Sequence, residues 1–320
     1  MKRLNRNPGL VLGTLAVLLL AAAGPRAQAI MAGQAPDTPA ARVDPNTDSS
    51  YSGVGSVLVN GSPLSGVVIA SQFVLTAAHV VSGTPPSGLQ FALNLGATQW
   101  VSAVESVTIH PTYSFPYDDL AVLKLAQPIP GSVPIYPLYS GTQSTGLIIT
   151  LVGYGQSGNG NVGPTVGASS TVKRLGTNVV DVLQATIDSS GRTSRFFIYD
   201  FDGPTGNGSL GGPTLGNATE TVVAEGDSGG PSFVKVGNSV QLFGINNFVA
   251  APNGGTVNFE FGTIGGGIVA CDSRFSAWLL TATEGTLGKA AADVPLPLWT
   301  SVSLAALLAA LSIACRRRAH

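Results

Sequence analysis

From residue 55 onward the chain is a succession of short apolar runs, each closed by glycine, proline, asparagine or serine. One series covers residues 55–59 (GSVLV), 66–70 (GVVIA), 73–76, 89–93 and 120–125; a second covers 147–153, 179–185, 195–201, 240–245 and 267–270. Such runs, four to eight residues long and bounded by turn formers, predict strands of an all-β sandwich or barrels. Before residue 270 no stretch keeps a helical period over three turns. Residues 272–283 (DSRFSAWLLTAT) do, and predict one amphipathic helix with Phe275, Trp278, Leu279 and Ala282 on its apolar face. Residues 128–145 are rich in proline and glycine and separate the two series. Residues 155–167 and 203–216 are too rich in glycine to be strands and predict loops.

The two ends depart from this pattern. Lys2, Arg3 and Arg6 precede an apolar run over 10–23, and Ala27-Gln28-Ala29 follows as an A-x-A site, so residues 1–29 predict a cleaved export signal. Residues 298–315 carry no charge and run straight into Arg316-Arg317-Arg318, which predicts a membrane segment with the arginines on the cytoplasmic side. The body between them should lie outside the cytoplasm, with residues 285–293 as a spacer and 294–320 as the terminal segment. Charged residues are 10% of the chain and the net charge is −1, which argues against nucleic acid as a partner. There are two cysteines, Cys271 and Cys315, the second inside the terminal apolar run. A disulfide between them is not expected, and Cys271 reads as a free, structural thiol.

Three segments carry chemistry. In Glu225-Gly-Asp-Ser-Gly-Gly-Pro231 a serine stands on a glycine-rich turn, which exposes its hydroxyl and allows the N–H groups of Gly226 and Ser228 to form an oxyanion cradle. Phe73-Val-Leu-Thr-Ala-Ala-His79 runs a strand into a histidine able to take the serine's proton. Asp119-Leu-Ala-Val-Leu-Lys-Leu125 opens an apolar strand with an aspartate able to fix that histidine's tautomer. A core histidine, a solvated aspartate or a glycine turn alone would mean little. The three together, in the order His, Asp, Ser, resemble the signature segments of the trypsin/chymotrypsin-like serine peptidases.

The resemblance runs from about residue 30 to 283. It implies two six-stranded antiparallel β-barrels, the first over about 34–130 and the second over about 145–284, with the active site in the cleft between them. It assigns His79 as general base, Asp119 as its orienter and Ser228 as nucleophile, with no cofactor and no metal. Asp118 competes with Asp119 only by proximity, and His110 in VTIHPTY is structural in the family. Family members bury a new N-terminal Ile or Val against the aspartate before the nucleophile, which implies an Ile30–Asp227 ion pair made by signal peptidase. The usual disulfide framework is missing, as in bacterial members.

Val222, six before Ser228, is implied at the base of the specificity pocket, with the run 244–248 (GINNF), Asn247 and Phe248 above all, along its edge. Without a carboxylate there, a basic side chain is disfavoured and a small or apolar one expected. Glu225 disfavours acidic substrates. Asp200, Asp202 and Glu220 read as scattered surface carboxylates rather than a calcium site. The tail, with Val294-Pro-Leu-Pro-Leu-Trp299, resembles the sorting signals that exosortase-like transpeptidases handle in Gram-negative bacteria, which implies a periplasmic or outer-envelope location. The competing function is a catalytically silent envelope-binding module of the same fold. An α/β-hydrolase is excluded by chain order.

Overall fold

The computed structural model describes residues 30–45, 49–187, 193–204 and 208–290. The export signal and the segment 294–320 lie outside the described residues, as does Cys315. Among the described residues no helix is long and apolar enough to cross a membrane.

The first series of runs builds a closed antiparallel barrel. It comprises β1 (Val54–Val59), β2 (Ser62–Ala70), β3 (Phe73–Thr76), the single-turn helix α1 (Ala78–Val81), β4 (Leu89–Leu95), β5 (Thr98–Ile109) and β6 (Ala121–Leu125). The strands are ordered β1-β2-β3-β6-β5-β4, and pairing of Ser56 with Ala92 between β1 and β4 closes the ring. Asn60 and Gly61 both take positive φ, 49° and 88°, the two-residue turn whose twist matches the β1–β2 hairpin.

The second half holds β7 (Ile148–Gly153), β8 (Ser157–Asn159), β9 (Gly163–Val166), β10 (Arg174–Val179), β11 (Val182–Ile187), β12 (Thr193–Asp200), β13 (Pro231–Val236), β14 (Ser239–Ala250) and β15 (Ile264–Ile268). Here the expected six-stranded barrel needs correcting. The strands form a seven-stranded sheet, β10-β7-β13-β14-β15-β12-β11, with β8–β9 as a separate hairpin. The run 179–185 is not one strand: the chain breaks at Val180 and Asp181, and β11 turns back to pair only with β12. No ladder joins β10 to β12. A side chain bridges them instead, Asn178 Nδ2 donating to the carbonyls of Asp200 and Thr221, both at 2.8 Å.

The C-terminal helix α2 (Ser276–Ala282) follows a 3₁₀ turn over Ser273–Phe275 and packs Phe275 and Leu279, both wholly buried, into the first core. Residues 285–289, expected as a spacer, are tied down: Gly288 N donates to Ile69 O at 2.8 Å, and Ser71 N to Lys289 O at 3.1 Å. A second core gathers around Phe197, Tyr199, Phe201 and Phe243, and takes in Ile30 and Met31 from the start of the described chain. The N-terminal segment is thus part of the second half's interior.

Candidate active site

β3 ends at Thr76, and the small residues Ala77 and Ala78 let the chain turn at once into α1, which carries His79. Asp119 precedes β6, hydrogen-bonded neighbour of β3. That adjacency brings Asp119 to His79 twice: Oδ1 accepts the His79 backbone N–H at 2.7 Å and Oδ2 meets Nδ1 at 2.5 Å. Asp119 is wholly buried, while the His79 side chain is 25% exposed, so the ring has one open side. Phe115 packs edge-on against that ring at 5.4 Å.

A third donor reaches Asp119. Asn247 on β14 gives its Nδ2 to Asp119 Oδ2 at 2.8 Å and to Pro116 O at 3.2 Å. Asn247 was read as pocket edge. It lines the cavity beside Ser228, and its amide nitrogen is also committed to the buried carboxylate. Two N–H groups, the His79 backbone amide and the Asn247 side-chain amide, donate to Asp119, and a carboxylate offers the ring nitrogen 2.5 Å away only an acceptor. His79 therefore carries its proton on Nδ1, and Nε2 is left as the unprotonated nitrogen.

Ser228 stands on the turn before β13. Its carbonyl accepts Ser65 N from β2 at 3.1 Å, and Gly229 N donates to Asn246 O at 2.9 Å, so the turn is pinned to both halves. Gly226 has φ 94°, and a Cβ there would come within 2.7 Å of Gly155 Cα. Only glycine fits. Among the described residues neither the Gly226 N–H nor the Ser228 N–H has a protein acceptor.

Behind the turn, Asp227 is fully buried. Oδ1 accepts Gly155 N at 2.9 Å; Oδ2 accepts Ala224 N at 2.8 Å and Ile30 N at 3.3 Å. Burial pushes its carboxyl up to about 7, against the pull of these three amides and of the Arg174 charge. Ile30 is held there by neighbours: Met31 N donates to Val222 O at 2.9 Å, and the Ser157 hydroxyl donates to Ile30 O. Gly33 must be glycine, since a Cβ would lie 2.2 Å from Asn217 O. Ile30 itself has φ 58°, a left-handed torsion that a β-branched residue rarely adopts.

Next to Ser228 lies a cavity of about 240 Å³. Val223, Ala224, Phe248, Val249 and Phe259 form its apolar walls; Asn246, Asn247 and the exposed Glu225 complete it. The place expected for Val222 needs correcting: it is not among the lining residues, because it is wholly buried and its backbone pairs with Met31. Phe248 does line the cavity. Asn246, which lies in the run 244–248 read as the binding edge but was not singled out in it, lines the cavity too.

The other candidates resolve differently. Asp118 is occupied by Ser194 Oγ at 2.7 Å, by the Thr112 hydroxyl and by the Arg274 guanidinium. His110 packs edge-on against Phe275 and Trp278; burial and then the Arg274 charge lower its pKa to about 4, so it is neutral at pH 7. Asp200, Asp202 and Glu220 are not surface carboxylates but 3%, 3% and 1% exposed. Backbone amides cap them, including Leu210 N on Asp200 at 2.5 Å and Leu215 N on Glu220 at 2.7 Å. Among the described residues no group of side chains is arranged to hold a metal ion. Cys271 is buried and free, its thiol pushed up to about 12 by burial.

The family model for trypsin matches residues 42–262, more than half of the chain. The chain belongs to the trypsin family. Comparison with curated proteins gives no match. Trypsin-family membership makes this a serine-type peptidase with protein or peptide as substrate, and the closed barrel beside a second β-sheet agrees with that family's architecture.

Proposed function

We propose that the chain is an exported serine endopeptidase that works through an acyl-enzyme, with Ser228, His79 and Asp119 as its triad. The observation that carries this reading is the shared carboxylate: Asp119 accepts from His79 Nδ1 at 2.5 Å and from Asn247, which lines the cavity beside Ser228. The Ser228 oxygen attacks the peptide carbonyl carbon, and its proton passes to His79 Nε2. The imidazolium stays paired with Asp119. Negative charge on the carbonyl oxygen is met by the N–H groups of Gly226 and Ser228, an arrangement whose loss of one donor typically costs about 10²–10³ in kcat. The C–N bond breaks, His79 returns the proton to the leaving amine, and water then attacks the acyl group by the same route, releasing the acid and restoring Ser228.

The second part of the reading concerns how the enzyme is switched on. Signal peptidase cuts between Ala29 and Ile30, and the new ammonium of Ile30 replaces a peptide amide beside Asp227. Two observations support this. Asp227 is wholly buried, and burial pushes its carboxyl up to about 7 even with three amides on its oxygens, so a cation beside it would stabilise the charged form. The φ of 58° at Ile30 is a rotation about its own N–Cα bond defined by the carbonyl carbon of residue 29, and cutting the peptide bond between them removes that constraint. Residues 294–320 serve as a membrane-held sorting tail for an exosortase-like enzyme, delivering the peptidase to the periplasm or outer envelope.

Exported full-length protein tests both parts. Mass spectrometry of the mature chain should give Ile30 as first residue, and hydrolysis of an activated ester should show a burst equal to the enzyme concentration. A mature chain that starts elsewhere and still gives the burst removes the activation step. No burst from folded protein removes the peptidase in favour of a binding module. The mature C-terminus, read in the same spectrum, separates tail removal from a permanent anchor.

A further inference from the structure

Arg174 is a buried cation with no carboxylate bonded to it. It is 0% exposed, its Nε donates to Pro39 O at 2.6 Å, and neither Nη1 nor Nη2 has a hydrogen-bond partner among the described residues. The neighbouring cations are taken: Lys173 Nζ pairs with Asp44 at 2.9 Å, and Arg42 Nε donates to Asp37 at 2.8 Å. A guanidinium stripped of water with both terminal nitrogens idle is costly to keep, which raises the question of what its charge serves.

The strand register points to Asp227. Arg174 on β10 lies directly opposite Gly153 on β7. Residues so paired send their side chains from the same face of the sheet, with Cβ positions about 4.5–5.5 Å apart. A Cβ on Gly153 would lie 2.1 Å from Asp227 Oδ1, so the Arg174 stem starts within about 8 Å of that oxygen, on its side of the sheet. Two residues along β10, Gly176 faces the same way, and a Cβ there would lie 2.7 Å from Ile30 Cγ2. One face of β10 thus looks onto both Asp227 and Ile30. The three N–H groups on the Asp227 oxygens bring no full charge, whereas the Arg174 charge pulls the carboxyl down against burial.

We propose that Arg174 is a built-in counter-charge for Asp227, holding the carboxylate, and with it the turn that carries Gly226 and Ser228, in the reactive arrangement when no ammonium stands at Ile30. The proposal rests on the peptidase reading above and adds a positioning residue to it. The Ile30 ammonium exists only after cleavage; Arg174 is in place as soon as the chain folds. Burial lowers its guanidinium to about 9, so it is charged at pH 7.5. Arg174 acts only through Asp227, whose oxygens accept the amides of Gly155 and Ala224 on either side of the turn, more strongly as carboxylate than as acid. An uncut chain is then a slow enzyme rather than a dead one, and cleavage speeds it up. An opposite charge close to a carboxyl is worth about 1–3 pH units, so losing it cuts the charged fraction about tenfold or more.

The experiment compares two forms of the exported full-length chain at pH 7.5, one beginning at Ile30 and one with a single residue added before it. Mass spectrometry checks the first residue of each, and the readout is the rate of fluorophosphonate labelling of Ser228. Extended wild type should label slowly, yet above a Ser228→Ala blank. Arg174→Met should slow the extended form at least about tenfold more than it slows the matured form. Equal slowing of both forms indicates packing alone and overturns the proposal. So does an extended Arg174→Met chain that labels like extended wild type, or an extended wild type that matches the blank. Should Arg174→Met fail to accumulate, Asp227→Asn in the extended form decides. A fall of about tenfold or more supports the counter-charge, and an unchanged rate overturns it. Matured wild type that takes no label marks failure of the peptidase reading itself, a different result from an extended form that does not respond to Arg174.

Discussion

Placing one extra residue before Ile30 should make the protein's stability fall as pH rises, in a way that the matured chain does not share. In the extended chain Ile30 N is an amide, and the Asp227 carboxyl is pushed up to about 7 from an ordinary 3.8. A carboxyl held high in the folded state keeps its proton more tightly there than in the unfolded chain. The folded state is therefore unpenalised below about pH 4 and loses ground as pH climbs to 7. The shift of about three pH units corresponds to about 4 kcal/mol at neutral pH. A free ammonium on Ile30 favours the carboxylate and removes that loss until it deprotonates, above the 7.7–8.0 or so of a free α-amino group. The extended chain also retains the φ of 58° at Ile30. The assay is thermal unfolding of both forms between pH 4.5 and 8.0. Each kcal/mol moves Tm by about 2–4 °C in a domain of this size, so a gap of about 10 °C should open as pH rises. Curves for the two forms that stay parallel across the range would refute the reasoning.

Three further outcomes follow from particular contacts. Gly226→Ala has to fit a Cβ 2.7 Å from Gly155 Cα at a φ of 94°, so ester hydrolysis should fall about a hundredfold or more while far-UV circular dichroism is retained. Lys173 Nζ lies 2.9 Å from Asp44 and 2.7 Å from Tyr51 O, all inside the protein, and burial lowers its pKa; Asp44→Ala should cost about 3–5 kcal/mol in urea unfolding. Cys271 should resist iodoacetamide at pH 8 in native protein and react within minutes in urea, because burial holds its thiol well above that pH.

How much of this was legible depended on where the physical signal lay. β1 to β4 and β6 each bury most of their side chains and announced themselves as apolar runs. β5 did not: nearly every residue of TQWVSAVESVTI is at least partly exposed, so a long strand looked like polar chain. β13 begins at Pro231, the last residue of the glycine-rich motif, and its apolar residues Phe233, Val234 and Val236 are too few and too broken by Ser232 and Lys235 to stand out as a run. The helix face at 275–282 was readable because its 3.6-residue period is local. The link between β10 and β12 was not, since it runs through the Asn178 side chain rather than through a ladder. The segments that carry His79, Asp119 and Ser228 were readable as motifs, and so was the run that sets Ile30 against Asp227. The contribution of Asn247 to Asp119 depends on which face of β14 its side chain takes. The β-bulge between Asn246 and Phe248 breaks the simple alternation that sequence reading relies on.

The central claim is that Ser228 is a nucleophile activated by His79. The most direct measurement is fluorophosphonate labelling of exported full-length protein, with the adduct located by peptide mass spectrometry. Wild type should carry one adduct per chain on the peptide containing Ser228; Ser228→Ala should carry none, and His79→Ala should label at least about a thousandfold more slowly. Folded wild-type protein that takes no label, or labels equally without His79, would contradict the account.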